Sequence, residues 1–176
     1  MRILVWSRGI RVLHWMLAGS VIGAFITHEG GGEVHEWLGY LALVSAVLRV
    51  IWGLLPSPDG GPGQFARFRS FVKSPRATFG YLGQVIARRE PRHVGHNPLG
   101  AWMIVALLGL TLAASATGWL FTTDAFWGVE WVEELHGALG EAFVPLVLLH
   151  WAGVFYASRR HRENLAAAMV HGRKDV

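Results

Sequence analysis

Residues 136–157 read HGALGEAFVPLVLLHWAGVFYA, an apolar run that opens on His136 and carries a second histidine, His150, fourteen residues on. At 100° per residue, fourteen steps return a helix to within about 40° of the same face and raise it roughly 21 Å. A hydrocarbon core is about 30 Å thick, so a spanning helix here presents two imidazoles on one side, one near each membrane surface. An ionisable side chain inside a membrane is costly unless it is paired, ligated or faces a cavity.

Four apolar segments have the length a spanning helix needs: Ile10–Thr27, Trp37–Leu55, Leu99–Phe121 and Gly137–Ala157. With 52% hydrophobic and 16% charged residues, the 176-residue chain is too apolar for an ordinary soluble domain. The expectation is an all-α membrane protein, a four-transmembrane-helix bundle forming one domain over residues 1–176. Cysteine is absent, which excludes disulfides, iron–sulfur clusters, thiolate ligation and covalent haem attachment. Residues 1–11 are basic, but the apolar run behind them lacks a small-residue cleavage site and contains His14, so the first helix is expected to stay as an anchor.

Charge sets the orientation. All 16 Lys and Arg residues fall in the N-terminal segment, the end of the second helix (Arg49), the connection 56–98 or the tail 158–176. The opposite loops carry Glu29, Glu33, Glu36, Asp124, Glu130, Glu133 and Glu134, with no basic residue. The positive-inside rule then puts both termini in the cytoplasm. The net charge of +4 thus belongs to membrane topology, and no nucleic-acid partner is expected.

The cytoplasmic connection 56–98 starts with a flexible exit at Pro56, Pro58 and the GG-P-G run. Residues 65–90 then read as one or two amphipathic helices, with Phe65, Phe68, Phe71 and Val72 set against Arg67, Arg69 and Lys73. Such a helix can lie on anionic headgroups, or the segment can be an ordered loop without lipid contact. Residues 163–170 read as a helix with Gly172 as its stop.

Four of the nine histidines lie in the spanning segments or at their mouths. His14 is about a turn inside the cytoplasmic end of the first helix and His150 is at similar depth in the fourth. His35 and His136 are at the outer mouths of the second and fourth. Depth matching gives two bis-imidazole sites, His14 with His150 and His35 with His136, each suited to a six-coordinate b-type haem between two helices. Gly39 and Gly140 each follow an outer ligand by four residues, and a glycine there leaves room for a flat porphyrin or for close helix packing. His28 is the rival of His35 and lacks that context.

The third helix has no histidine and reads as a wall, with Gly109, Ser115 and Gly118 allowing close approach. His96, in GHNPLG, sits before a helix start where Asn97 caps and Pro98 takes the first turn; it reads as a surface histidine, with a haem propionate or quinone as the alternative contact. His93, His161 and His171 read as solvated. Arg11 and Arg49 fall where the propionates of a cytoplasm-side haem would emerge, and a guanidinium there either pairs with a carboxylate or snorkels to the interface. Trp6, Trp15, Trp127 and Trp131 read as an interface belt.

RGIRVLHW in the first helix, VHEWLGY opening the second, GHNPLGAWM opening the third, and ELHGALG and LHWAGV in the fourth, followed by HRENLAAAMVHGRK, are similar to bacterial di-haem cytochromes of the b561 group. That group includes the b-type cytochrome subunits of nickel–iron hydrogenases. The resemblance covers nearly the whole chain. It implies two non-covalent haems b, with His14, His35, His136 and His150 as axial ligands of the iron. It also implies electron transfer in a respiratory chain between membrane quinone, ubiquinone or menaquinone, and a protein partner. A related member oxidises superoxide and reduces ubiquinone, although its first outer loop is longer than the nine residues found here.

The leading expectation is an electron-transfer cytochrome rather than a stand-alone catalyst. It would link the quinone pool to a periplasmic c-type cytochrome or to a dehydrogenase or hydrogenase subunit, and a homodimer is compatible with it. A superoxide:quinone oxidoreductase using the periplasm-side haem is the first alternative. A non-haem four-helix metal transporter is the second.

Overall fold

The computed structural model describes residues 1–30, 32–55 and 64–175. Pro56, Pro58 and the GG-P-G run, expected as a flexible exit, lie outside the described residues. Four helices are long and apolar enough to cross a membrane: α1 (Arg8–Ile26), α2 (Glu33–Leu54), α5 (Pro98–Phe121) and α6 (Glu130–His161). Between α2 and α5 come a short α3 (Phe68–Phe71) and α4 (Pro75–Ile86), and α7 (Leu165–His171) follows α6.

The spanning segments match the apolar runs, but the boundaries move at the acidic ends. Helix α2 starts at Glu33, so His35 sits in its first turn. Helix α6 starts at Glu130, which places His136 in its second turn rather than at its mouth. Hydropathy does not register these polar first turns, yet acidic groups at a helix N-terminus are favoured by the macrodipole. Pro145 lies inside α6 between the two histidines. Proline in a helix interior removes one backbone hydrogen bond and clashes with the preceding turn, and membrane helices tolerate it where neighbouring groups compensate.

Two compact units can be distinguished. The first comprises residues 1–11, 51–105 and 148–176, and the second residues 12–50 and 106–147. The second consists of portions of the four spanning helices. Two of its threonine hydroxyls bond back along the chain, Thr111 Oγ1 to the Leu107 carbonyl at 2.8 Å and Thr27 Oγ1 to the Gly23 carbonyl at 2.9 Å. Inside a bilayer no water is available for these groups, so internal bonding is required.

The first unit has a core of Val5, Trp6, Ile10, Ala66 and Ala168. It also contains the only strands among the described residues. Strand β1 (Arg2–Leu4) pairs antiparallel with β2 (Arg173–Asp175), Ile3 opposite Lys174, and so holds the two chain ends together. Three-residue strands rich in charge carry no alternating pattern, which is why an all-α reading of the sequence omits them. The tail helix forms as expected: the Asn164 side chain caps α7 by accepting from Ala167 N at 2.8 Å, and Gly172 ends it at φ +84°. Only glycine takes that conformation freely.

Phe65, Phe68 and Phe71 do not form an exposed apolar stripe. Phe71 is buried, Phe68 covers Gly53 and Phe65 covers Gly95. Trp6 is likewise buried, only 6% exposed, and leaves the interface belt, whereas Trp15, Trp127 and Trp131 are exposed as a belt requires.

Candidate functional site

Within the second unit, α2 and α6 bring His35 and His136 together. Their ring centroids are 5.9 Å apart and the planes are perpendicular. Each ring is fixed through Nδ1. His35 Nδ1 lies 2.9 Å from the carbonyl of Ala24 on α1, and His136 Nδ1 lies 3.0 Å from the carbonyl of Ala114 on α5. A carbonyl oxygen only accepts, so Nδ1 must carry the proton in both rings. The lone pair is then on Nε2, the tautomer a metal-ligating histidine needs when its other nitrogen is oriented by a backbone carbonyl.

Helix α5, read as a plain wall, contributes more than surface. Thr117 Oγ1 donates to the Ala114 carbonyl at 2.9 Å and stands 3.2 Å from His136 Nδ1. A methyl group at Gly118 would come within 2.9 Å of His136 Cε1, so the missing side chain is the recess that accepts the ring. Ser115 Oγ reaches the Gly39 carbonyl at 3.4 Å, whereas nothing comes within 4 Å of a methyl placed at Gly109. The sequence signal for this support was present in TG at 117–118, but nothing in it indicates which neighbouring ring it receives.

The donor set fits a porphyrin iron held by two imidazoles. A methyl group at Gly39 or Gly140, one turn beyond each histidine, would meet no atom within 4 Å. There is thus space along both helices where a flat group would press. Among the described residues no three His, Cys, Asp or Glu side chains gather as a metal-ion site. His28 is exposed, its Nδ1 bonded to the Phe25 carbonyl at 2.6 Å and its ring stacked on Phe25.

His14, half-buried on α1, lies in the second unit, edge-on to Trp15 at 5.2 Å. His150, half-buried on α6, lies in the first. Arg49 is buried in the second unit, 8% exposed. Arg11, in the first, donates Nη1 to the carbonyl of Val170 and so ties the start of α1 to the tail helix.

Three other histidines differ from their sequence reading. His96 is half-buried between Trp6 (4.5 Å) and Phe71 (4.7 Å), because the GHNPLG turn folds under the first unit's aromatic core. Asn97 does cap α5, its Oδ1 accepting from Gly100 N at 2.7 Å. His93 packs edge-on to the buried Tyr81, and with His161, Glu163 and Lys174 it lines a small polar pocket. Burial, then the nearby Glu90 carboxylate, pushes the Tyr81 hydroxyl above its ordinary value.

Paired, carbonyl-oriented imidazoles in an apolar helix bundle are suited to holding a haem iron. A family model described as prokaryotic cytochrome b561 matches residues 5–172, and the chain belongs to that family. The family binds haem b and transfers electrons across membranes. Comparison with curated proteins and with solved structures returns no significant match.

Proposed function

We propose that the chain works as a single di-haem cytochrome domain in the bacterial inner membrane, passing electrons between the quinone pool and a periplasmic c-type cytochrome or a dehydrogenase subunit. The observation that carries it is the His35–His136 pair, with both Nδ1 atoms committed to carbonyls. When bound, haem iron supplies a one-electron couple, and the protein supplies ligation, spacing and dielectric. His35 and His136 hold the periplasm-side group, and His14 and His150 the cytoplasm-side one. Arg11 and Arg49 lie on the basic side, where propionates would be neutralised.

The charge distribution supports cytoplasmic termini, and the pairing of β1 with β2 agrees with both ends on one side. The acidic outer segment with Glu130, Glu133 and Glu134 suits a basic partner such as a small c-type cytochrome. A pyridine haemochrome assay on the purified chain tests the reading: two haems b per chain are expected, and none would overturn it. Quinol added to that protein in liposomes should reduce it, and reduction only by superoxide would favour the oxidoreductase alternative.

A further inference from the structure

Helix α4 has three faces. Thr78, Tyr81 and Val85 turn inward, with Tyr81 only 6% exposed. Ala77, Gly80 and Gln84 form a small, polar face. Phe79, Leu82 and Ile86 fall within about 60° of one another at 100° per residue. They stand out from the unit, Phe79 71% and Ile86 77% exposed. An apolar face of this kind at the edge of a membrane protein needs a cover.

Both ends of the segment are tied to spanning helices. The indole of Trp102, in the second turn of α5, donates to the Lys73 carbonyl at 3.2 Å, directly before the Ser74 cap of α4. Beyond α4, the Arg88 carbonyl accepts from Arg160 Nη2 at 2.5 Å. The Glu90 carboxylate accepts from Tyr156 at 3.0 Å and from Arg160 Nε at 2.9 Å, both on the last turns of α6. The segment is thus bonded to the first turns of one candidate spanning helix and the last turns of another.

Charge identifies the cover. Residues 64–89 present Arg69, Lys73, Arg76, Arg88 and Arg89 at the surface, bury Arg67 and contain no acidic residue. Arg88 ends α4 at φ +54°, a position where glycine is usual. We propose that α4 lies in the plane of the membrane, its Phe79–Leu82–Ile86 face in the acyl–headgroup boundary and its flanking arginines on anionic lipid phosphates. Interfacial helices bind through this combination of apolar burial and basic flanks. The surface is distinct from the phenylalanine stripe at 65–72, which the fold turns inward.

The absence of cysteine makes the test direct. Single spin labels are attached to Phe79→Cys, Ile86→Cys and Gln84→Cys in the haem-loaded full chain, in nanodiscs of phosphatidylcholine with or without phosphatidylglycerol. At residues 79 and 86 oxygen accessibility should be high, and access of a water-soluble nickel chelate several-fold lower than at 84. Phosphatidylglycerol should widen that difference. A variant with Arg76→Gln, Arg88→Gly and Arg89→Gln should abolish the lipid dependence, and Arg88→Gly keeps the left-handed turn in its favoured residue. Equal nickel access at 79, 84 and 86 overturns the proposal and leaves the face to a protein partner. Burial that ignores phosphatidylglycerol overturns the anionic-lipid assignment. An unchanged haem spectrum in each labelled chain shows that the fold was kept.

Discussion

The two units of this chain solve the problem of polar groups in opposite ways. All four ion pairs among the described residues lie in the first unit: Arg2–Asp175, Arg92–Glu163, Arg160–Glu90 and Lys174–Glu163. In the second unit, Thr111 and Thr117 return to their own helix carbonyls and the two histidines bond to carbonyls of neighbouring helices. In the first unit buried charges such as Glu90 and Lys174 are held in ion pairs, and in the second, Arg49 apart, neutral donors such as those of Thr111 and His136 are matched to nearby acceptors. The imidazole is the side chain in this set whose ordinary titration range lets it be neutral near pH 7 and still offer a nitrogen lone pair, so it is the one suited to the apolar unit.

The largest effect expected is at the histidine pair. His136→Ala should lower the haem content from two per chain to one, and His35→Ala should lose the same haem. Retention of both haems in either variant would break the contrast, because the apolar unit would then hold its cofactor by other groups.

Two glycine substitutions sharpen it. Gly118→Ala pushes a methyl against His136, and Gly53→Ala pushes one into the Phe68 ring. Overpacking of this sort costs about 1–3 kcal/mol. The first should alter the haem absorption and reduction potential, and the second should lower thermal stability while leaving the spectrum unchanged. Identical spectral changes in both variants would show that the units are not separable in this way.

Acid should act on the first unit. Burial works to raise the Glu163 carboxyl, but hydrogen bonding to Arg92 and the charge of Lys174 hold it below the ordinary 4.5. Glu90 is lowered in the same sense: burial opposes, while its own backbone amide, Tyr156 and Arg160 prevail. Burial pushes the Lys174 ammonium below its ordinary value against the pull of Glu163. A carboxylate with a depressed folded value contributes stability above its unfolded value, and the contribution disappears as pH falls through the folded one. Melting followed by tail proteolysis should therefore be flat near neutrality and decline on acidification below 4.5. Glu163→Gln should flatten that decline, and an unchanged acid limb would remove Glu163 from the account.

The smallest effect expected is at Thr117. Thr117→Val removes a hydroxyl beside His136 Nδ1, a hydrogen bond worth about 0.5–1.5 kcal/mol net. Haem content should hold while the reduction potential of one haem shifts, measured by redox titration. No shift would mean that the Ala114 carbonyl alone orients the ring.

The apolar runs, the one-sided arginines and the spacing of His136 and His150 are local properties, so the sequence by itself determined four spanning helices and a family resemblance. Asn97 and Gly172 were legible for the same reason, since a cap depends on its immediate neighbours. Tertiary structure decided what depended on distant partners. It turned Phe71 and His96 inward against Trp6 and joined residues 2–4 to 173–175. It gave His136 a carbonyl, a hydroxyl and a recess from a helix without any histidine, and it left Phe79 and Ile86 outside. The physical reason is that periodicity shows that a helix has an apolar face, while only the packed neighbours decide whether protein or lipid will cover it.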